Sequence, residues 1–186
     1  MTTIYIHGFG GSGQGRKACA FRDHYKLLEK PFVAPSLSHI PDLAVSTLEE
    51  LIASYENRVS LIGSSLGGYY ALYLSRKYNL KAILLNPAVN PIDTVSGILK
   101  KNPAYYKGYN FILKEEHITM LEKYKTKLEK PKNILTLLQT GDELLDYKEA
   151  QTFLRETNLI VEQGGSHFFD DLENRFETID KFLEII

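Results

Sequence analysis

A chain of 186 residues, 44% hydrophobic and 24% charged with a formal net charge of −1, is long enough to bury one substantial core and is expected to form a single domain over 1–186. Its charge gives no argument for nucleic acid or an anionic membrane as partner, and Cys19, the lone cysteine, excludes an intrachain disulfide. No apolar run reaches bilayer length and no basic leader opens the sequence, so cytoplasmic residence without stable membrane association is expected.

In chain order, the first strand candidate is Thr3–His7, followed by a glycine-rich loop and a helical pattern over Arg16–Lys30. Phe32–Ala34 is a short strand. Leu48, Leu51, Ile52 and Tyr55 share one face of a helix over Leu43–Tyr55. The strand Val59–Gly63 leads into a helix over Leu66–Tyr78, and Ala82–Asn86 is the fourth strand candidate. An excursion over 87–131 then carries the aromatic residues Tyr105, Tyr106, Tyr109 and Phe111 and a helical run Glu115–Leu128. It is placed to form a small cap or a surface insertion. Its lysines between Lys123 and Lys132 are interleaved with Glu129, as on a solvated helix face. Ile134–Gln139, a helix over Asp146–Leu154, a strand Leu159–Glu162 and a helix over Asn174–Ile186 complete the chain. The last helix carries Phe176, Ile179, Phe182, Leu183 and Ile186 as a core stripe. The later strands are apolar at consecutive positions, as strands covered on both faces must be. Such alternation predicts an α/β fold: a doubly wound, mostly parallel six-stranded sheet in three layers, of order 2-1-3-4-5-6, with ligands at the carboxyl ends of its strands.

Between the third strand and its helix lies Gly63-Ser64-Ser65-Leu66-Gly67, a G-x-S-x-G sequence at a strand-to-helix turn. That context marks the nucleophile elbow of an α/β-hydrolase, with Ser65 thrust out at the sheet edge. A serine hydroxyl needs a neighbouring base, and the base an orienting acid. In this fold they follow in the order Ser, acid, His. Asp142 lies just past the fifth strand in Thr140-Gly141-Asp142-Glu143; Glu143 and Asp146 compete with it, Asp146 also suiting a helix N-cap. His167 follows the last strand in Gly164-Gly165-Ser166-His167. Among the other histidines, His24 suits a helix surface, His39 and His117 lie away from strand ends, and His7 suits a loop-holding role. Asp170 and Asp171 are placed to cap the last helix. Acyl transfer also needs donors for the developing oxyanion. The backbone N–H groups of Leu66 and Phe9 are the candidates, and His7, Gly8 and Phe9 are candidate substrate-binding residues. Metal and cofactor are not called for.

Gly8-Phe9-Gly10-Gly11-Ser12-Gly13 also satisfies G-x-G-x-x-G, which would suit an NAD(P)-binding oxidoreductase. That fingerprint expects an acidic residue at the end of the second strand, where this chain has Pro35-Ser36. A further alternative is a binding protein that keeps the hydrolase fold without turnover.

Taken together, Tyr5-Ile6-His7-Gly8-Phe9-Gly10, Gly63-Ser64-Ser65-Leu66-Gly67-Gly68-Tyr69-Tyr70, Leu85-Asn86-Pro87-Ala88, Gln139-Thr140-Gly141-Asp142-Glu143 and Gly164-Gly165-Ser166-His167 give a chain that resembles the YqiA/YcfP-like esterases nearly end to end. The match is weakest over 98–132. The resemblance implies a small cytoplasmic α/β-hydrolase without a cofactor, cleaving carboxylic esters or acyl-CoA thioesters, often with short acyl groups. It also implies Ser65 as nucleophile, Asp142 as acid and His167 as base.

Overall fold

Strands with aliphatic side chains on both faces must be covered on both sides, and the computed structural model does this with two helical layers. It describes residues 1–101 and 114–185, with backbone alone at 98–101. Four central strands are buried at every position: β1 (Thr2–Ile6), β3 (Val59–Ser64), β4 (Ala82–Leu85) and β5 (Ile134–Gln139). The less buried strands β2 (Phe32–Val33) and β6 (Asn158–Glu162) form the edges. The order is β2-β1-β3-β4-β5-β6 and every pairing is parallel. Pairing Ile6 with Gly63, Ser64 with Leu85 and Gln139 with Glu162 brings the loops that follow these strands to one edge of the sheet.

Alternation along the strands sorts the core into two clusters. Tyr5, Ile62, Ile83 and Leu137 face α1 (Arg16–Leu27) and α7 (Phe176–Leu183), packing on Phe21, Tyr25, Ile179 and Leu183. Ile4, Ile6, Leu61 and Leu138 face the opposite layer of α2 (Pro41–Ser54), α3 (Leu66–Tyr78) and α6 (Tyr147–Phe153), packing on Leu48, Ile52, Leu74 and Leu154. Each buried aliphatic side chain of this kind contributes about 1.5–3 kcal/mol. The doubly wound, three-layer architecture and its strand order are as the sequence predicts.

The excursion between β4 and β5 begins with α4 (Pro91–Lys101), which the sequence pattern had left unassigned, and continues with α5 (Glu115–Thr119). The expected single helix over Glu115–Leu128 is broken: a 3₁₀ turn takes over at Met120–Tyr124. The Leu121 carbonyl accepts a 2.9 Å hydrogen bond from the Tyr69 hydroxyl while the Leu121 side chain is buried, which ties this turn to α3. Tyr124 and Lys123 both donate to Asp42 at the start of α2. The segment therefore lies on the α2–α3 side. Tyr105, Tyr106, Tyr109, Phe111 and Ile186 lie outside the described residues.

His24, expected on a helix surface, is instead a contact between two helices of the same layer. Its ring stacks on Phe176 at 4.1 Å and its Nε2 lies 2.7 Å from Asp180 Oδ2, joining α1 to α7. A helix pattern alone does not show that a second helix packs over the same face. Among the described residues, no helix is long and apolar enough to cross a membrane.

Candidate active site

Close packing of backbone on backbone shapes the turn after β3. A β-carbon on Gly67 would lie 2.1 Å from the Ile6 carbonyl oxygen, and one on Gly63 2.2 Å from that of Gly67. Only glycine permits these approaches. Ser65 is held at φ 56°, ψ −122°, a conformation that costs a non-glycine residue of order 1–3 kcal/mol and persists only when its surroundings impose it. They do: Ser65 N–H donates to Leu85, and the Ser65 carbonyl accepts from Gly68 and from Ala88. The result is a serine at the carboxyl edge of the sheet, on the N-terminus of α3, where helix N–H groups favour negative charge.

The loop after β1 passes directly beside it. A β-carbon on Gly8 would lie 3.0 Å from Ser65 Cβ and 3.5 Å from its Oγ, so the Gly8–Phe9 segment is pressed against the elbow. His7 holds this loop. Its Nδ1–H donates to the Gly8 carbonyl at 2.8 Å and its Nε2 accepts from Leu37 N–H at 2.9 Å, which uses both ring nitrogens on backbone in the neutral form. Burial holds the His7 pKa below the usual histidine value. Gly13 packs on Ala34, where a β-carbon would lie 2.0 Å from the carbonyl oxygen. Gly8 and Gly13 of the G-x-G-x-x-G sequence thus each have a packing role, and α1 begins only at Arg16.

Three separated loops meet above this edge. His167 Nε2 lies 3.1 Å from Ser65 Oγ, and His167 Nδ1 lies 2.9 and 3.0 Å from the two carboxylate oxygens of Asp142. Facing a carboxylate, Nδ1 carries the proton and Nε2 accepts from the serine. The Asp142 side chain is 2% exposed and that of His167 13%. Asp142 Oδ1 also accepts from the N–H groups of Leu144 and Leu145, which aims the carboxylate at the ring. Of its competitors, Glu143 accepts from the His167 backbone N–H at 2.9 Å, and Asp146 caps α6 by accepting from Lys148 N–H.

The histidine loop is held by polar side chains to which the sequence patterns assign no role. Gln139, at the end of β5, accepts from the N–H groups of Ser166 and Asp170 and donates to the Asp170 carbonyl. Asn86, at the end of β4, donates to the Ser166 carbonyl and accepts from Gln139 N–H. Both are 3% exposed. A polar residue closing an otherwise apolar strand was the available signal. Asp170, expected as a helix cap, instead accepts from the Ser166 hydroxyl, and Asp171 makes no side-chain cap. On the other flank Lys17 Nζ donates to the Phe168 carbonyl at 3.0 Å. Burial, reinforced by Arg16, lowers its pKa to about 8 against the opposing pull of Asp142 and Asp170. Among the described residues, no cluster of His, Cys, Asp and Glu is arranged to hold a metal ion.

Fold and elbow together define an α/β-hydrolase fold, and solved structures agree. The chain superposes on Est1E of Butyrivibrio proteoclasticus, solved with ferulic acid bound, with TM-score 0.72 at 19% identity, covering 98% of this chain and 88% of that one. It superposes on the esterase Pf2001 of Pyrococcus furiosus with TM-score 0.71 at 15% identity, covering 98% and 81%. Residues 2–184 match the Uncharacterised protein family UPF0227, and the chain belongs to that family. A UPF0227 protein of Yersinia enterocolitica is 26% identical over 96% of this chain and 97% of its own length. UPF0227 protein YcfP of Salmonella paratyphi B is 21% identical over 96% and 97%.

Proposed function

We propose that this protein is a serine hydrolase that cleaves carboxylic esters or acyl-CoA thioesters with short acyl groups through an acyl-enzyme on Ser65. The observation that carries this is the unbroken hydrogen-bonded line from Ser65 through His167 to Asp142. His167 Nε2 takes the hydroxyl proton as Oγ attacks the carbonyl carbon. The tetrahedral oxyanion is received by the N–H groups of Leu66 and Phe9, each such donor supplying about 3–4 kcal/mol in the transition state. The imidazolium then returns its proton to the departing alkoxide or thiolate. In the second half, His167 deprotonates water, which attacks the acyl-enzyme, and the proton passes to Ser65 as the acid leaves. Asp142 keeps Nδ1 protonated and steadies the imidazolium.

The esterase neighbours support the hydrolytic class, and the family resemblance supports the ester or thioester bond. The test is hydrolysis of p-nitrophenyl acetate by wild type and Ser65→Ala. Turnover is expected to collapse to background in the variant while its thermal melt stays at the wild-type value; a wild-type rate in Ser65→Ala overturns the assignment.

A further inference from the structure

We propose that the crossed rings of Phe9 and His39 set the acyl-chain length, by dividing the apolar space beside Leu66 into two chambers too small for a long chain. This rests on the acyl-enzyme proposed above. In that intermediate the carbonyl oxygen points to the Phe9 and Leu66 amides and the leaving group departs on the His167 side. The acyl chain is then left to run along Phe9 and Leu66, away from the imidazole.

Two cavities lie there, and Phe9, His39 and Leu66 line both. One continues to Leu37 and Tyr70, the other to Val95, Ile118 and Leu121. Each holds only about 10 Å³ of free space, room for about one water-sized group. The wall between them is the ring pair, with centroids 5.8 Å apart and planes at 67°. Burial lowers the pKa of His39 and favours its neutral form, in keeping with an apolar wall. The far sides are firm: Tyr70, Val95 and Leu121 are all at most 4% exposed. A much larger cleft of about 740 Å³ lies between α3 and α6, lined by Tyr69, Leu72, Val89 and Phe153 among others, but Ser65, His167, Phe9 and Leu66 do not line it. Ser65 and His167 do not line the two small cavities either. Both cavities, however, reach Leu66, the residue after Ser65, and one reaches Gly8, which packs on the Ser65 side chain, so the partitioned space adjoins the elbow.

The experiment is a kcat/KM profile over p-nitrophenyl esters from acetate to octanoate, with fluorophosphonate labelling of Ser65 in each variant. Wild type is expected to favour the shortest esters. Phe9→Ala, which keeps the backbone N–H and joins the chambers, is expected to raise the octanoate-to-acetate ratio about tenfold or more. His39→Ala is expected to move it the same way by a smaller factor, and it carries the test if Phe9→Ala does not fold. Adding Val95→Phe to Phe9→Ala refills the joined space and is expected to abolish the gain. An unchanged ratio in folded, labelled Phe9→Ala and His39→Ala would overturn the proposal, as would a profile that responds instead to Phe153→Trp in the large cleft. Wild type that is not labelled at Ser65 would overturn the acyl-enzyme itself, and the wall with it.

Discussion

The two halves of the site are built by different means. The serine half is backbone packed on backbone: β1, β3 and the start of α3 touch through Gly63 and Gly67, with the Ser65 carbonyl tied to Ala88. The histidine half is side chain on backbone, a loop hung from the amides of Asn86 and Gln139 and faced by Glu143. In the first half Ser65 cannot be moved without moving the sheet. In the second, His167 and Asp142 can be disturbed while the sheet stays whole. Activity and stability are therefore expected to fall together when the backbone contacts of the first half are disturbed, and to separate when the carboxylate of Asp142 in the second is exchanged.

The largest effect expected on activity alone is that of Asp142→Asn. The amide oxygen can still accept from Leu144 and Leu145, so the melting temperature should hold, but the wrong imidazole tautomer is favoured and kcat should drop about ten-thousandfold. A melting temperature that fell with kcat would break the proposed separation. Gly67→Ala tests the opposite half. Its β-carbon would meet the Ile6 carbonyl oxygen at 2.1 Å, and a loss of stability above about 4 kcal/mol is expected, seen as a lost or much earlier unfolding transition. A fully stable but inactive Gly67→Ala would show that the elbow is separable after all.

Next in size is Gln139→Leu, which strips partners from Ser166 N–H, Asp170 N–H and the Asp170 carbonyl. Displacement of His167 by about 1 Å should lower kcat roughly 100-fold, and the orphaned groups should cost about 1–3 kcal/mol in a denaturant titration. A loss of stability without loss of kcat would mean that Gln139 supports the fold and not the imidazole. The smallest effect concerns His7. Burial depresses its folded pKa below the ordinary 6.5, so the unfolded chain binds more protons in that window. The stability it contributes is present above pH 6.5 and lost as pH falls toward and through the depressed value. Stability measured from pH 7.5 to 5 should decline less steeply in His7→Gln than in wild type; equal slopes would remove His7 as the cause.

The same division explains what could be read from the sequence. The sheet order followed from apolar runs alternating with helical patterns, and Ser65 from glycines whose spacing reports a backbone contact. Asp142 and His167 were legible because each follows a strand end. Asn86 and Gln139 stand within segments that carry the family resemblance but have no role legible there, because a buried amide declares its partners only when the loop it holds is in place. The pairing of Phe9 with His39 joins residues from separate loops, and no local pattern encodes it. The break after α5 was hidden for a similar reason: the Tyr69 hydroxyl that meets the Leu121 carbonyl comes from another helix.

The central claim, that His167 activates Ser65, is tested most directly by the rate and position of fluorophosphonate labelling, with the adduct mapped by peptide mass spectrometry. Rapid modification of Ser65 in wild type, lost in Ser65→Ala and slowed by orders of magnitude in His167→Ala, is predicted. Labelling of Ser65 at the same rate in His167→Ala, or an adduct on another residue with Ser65 untouched, would contradict it.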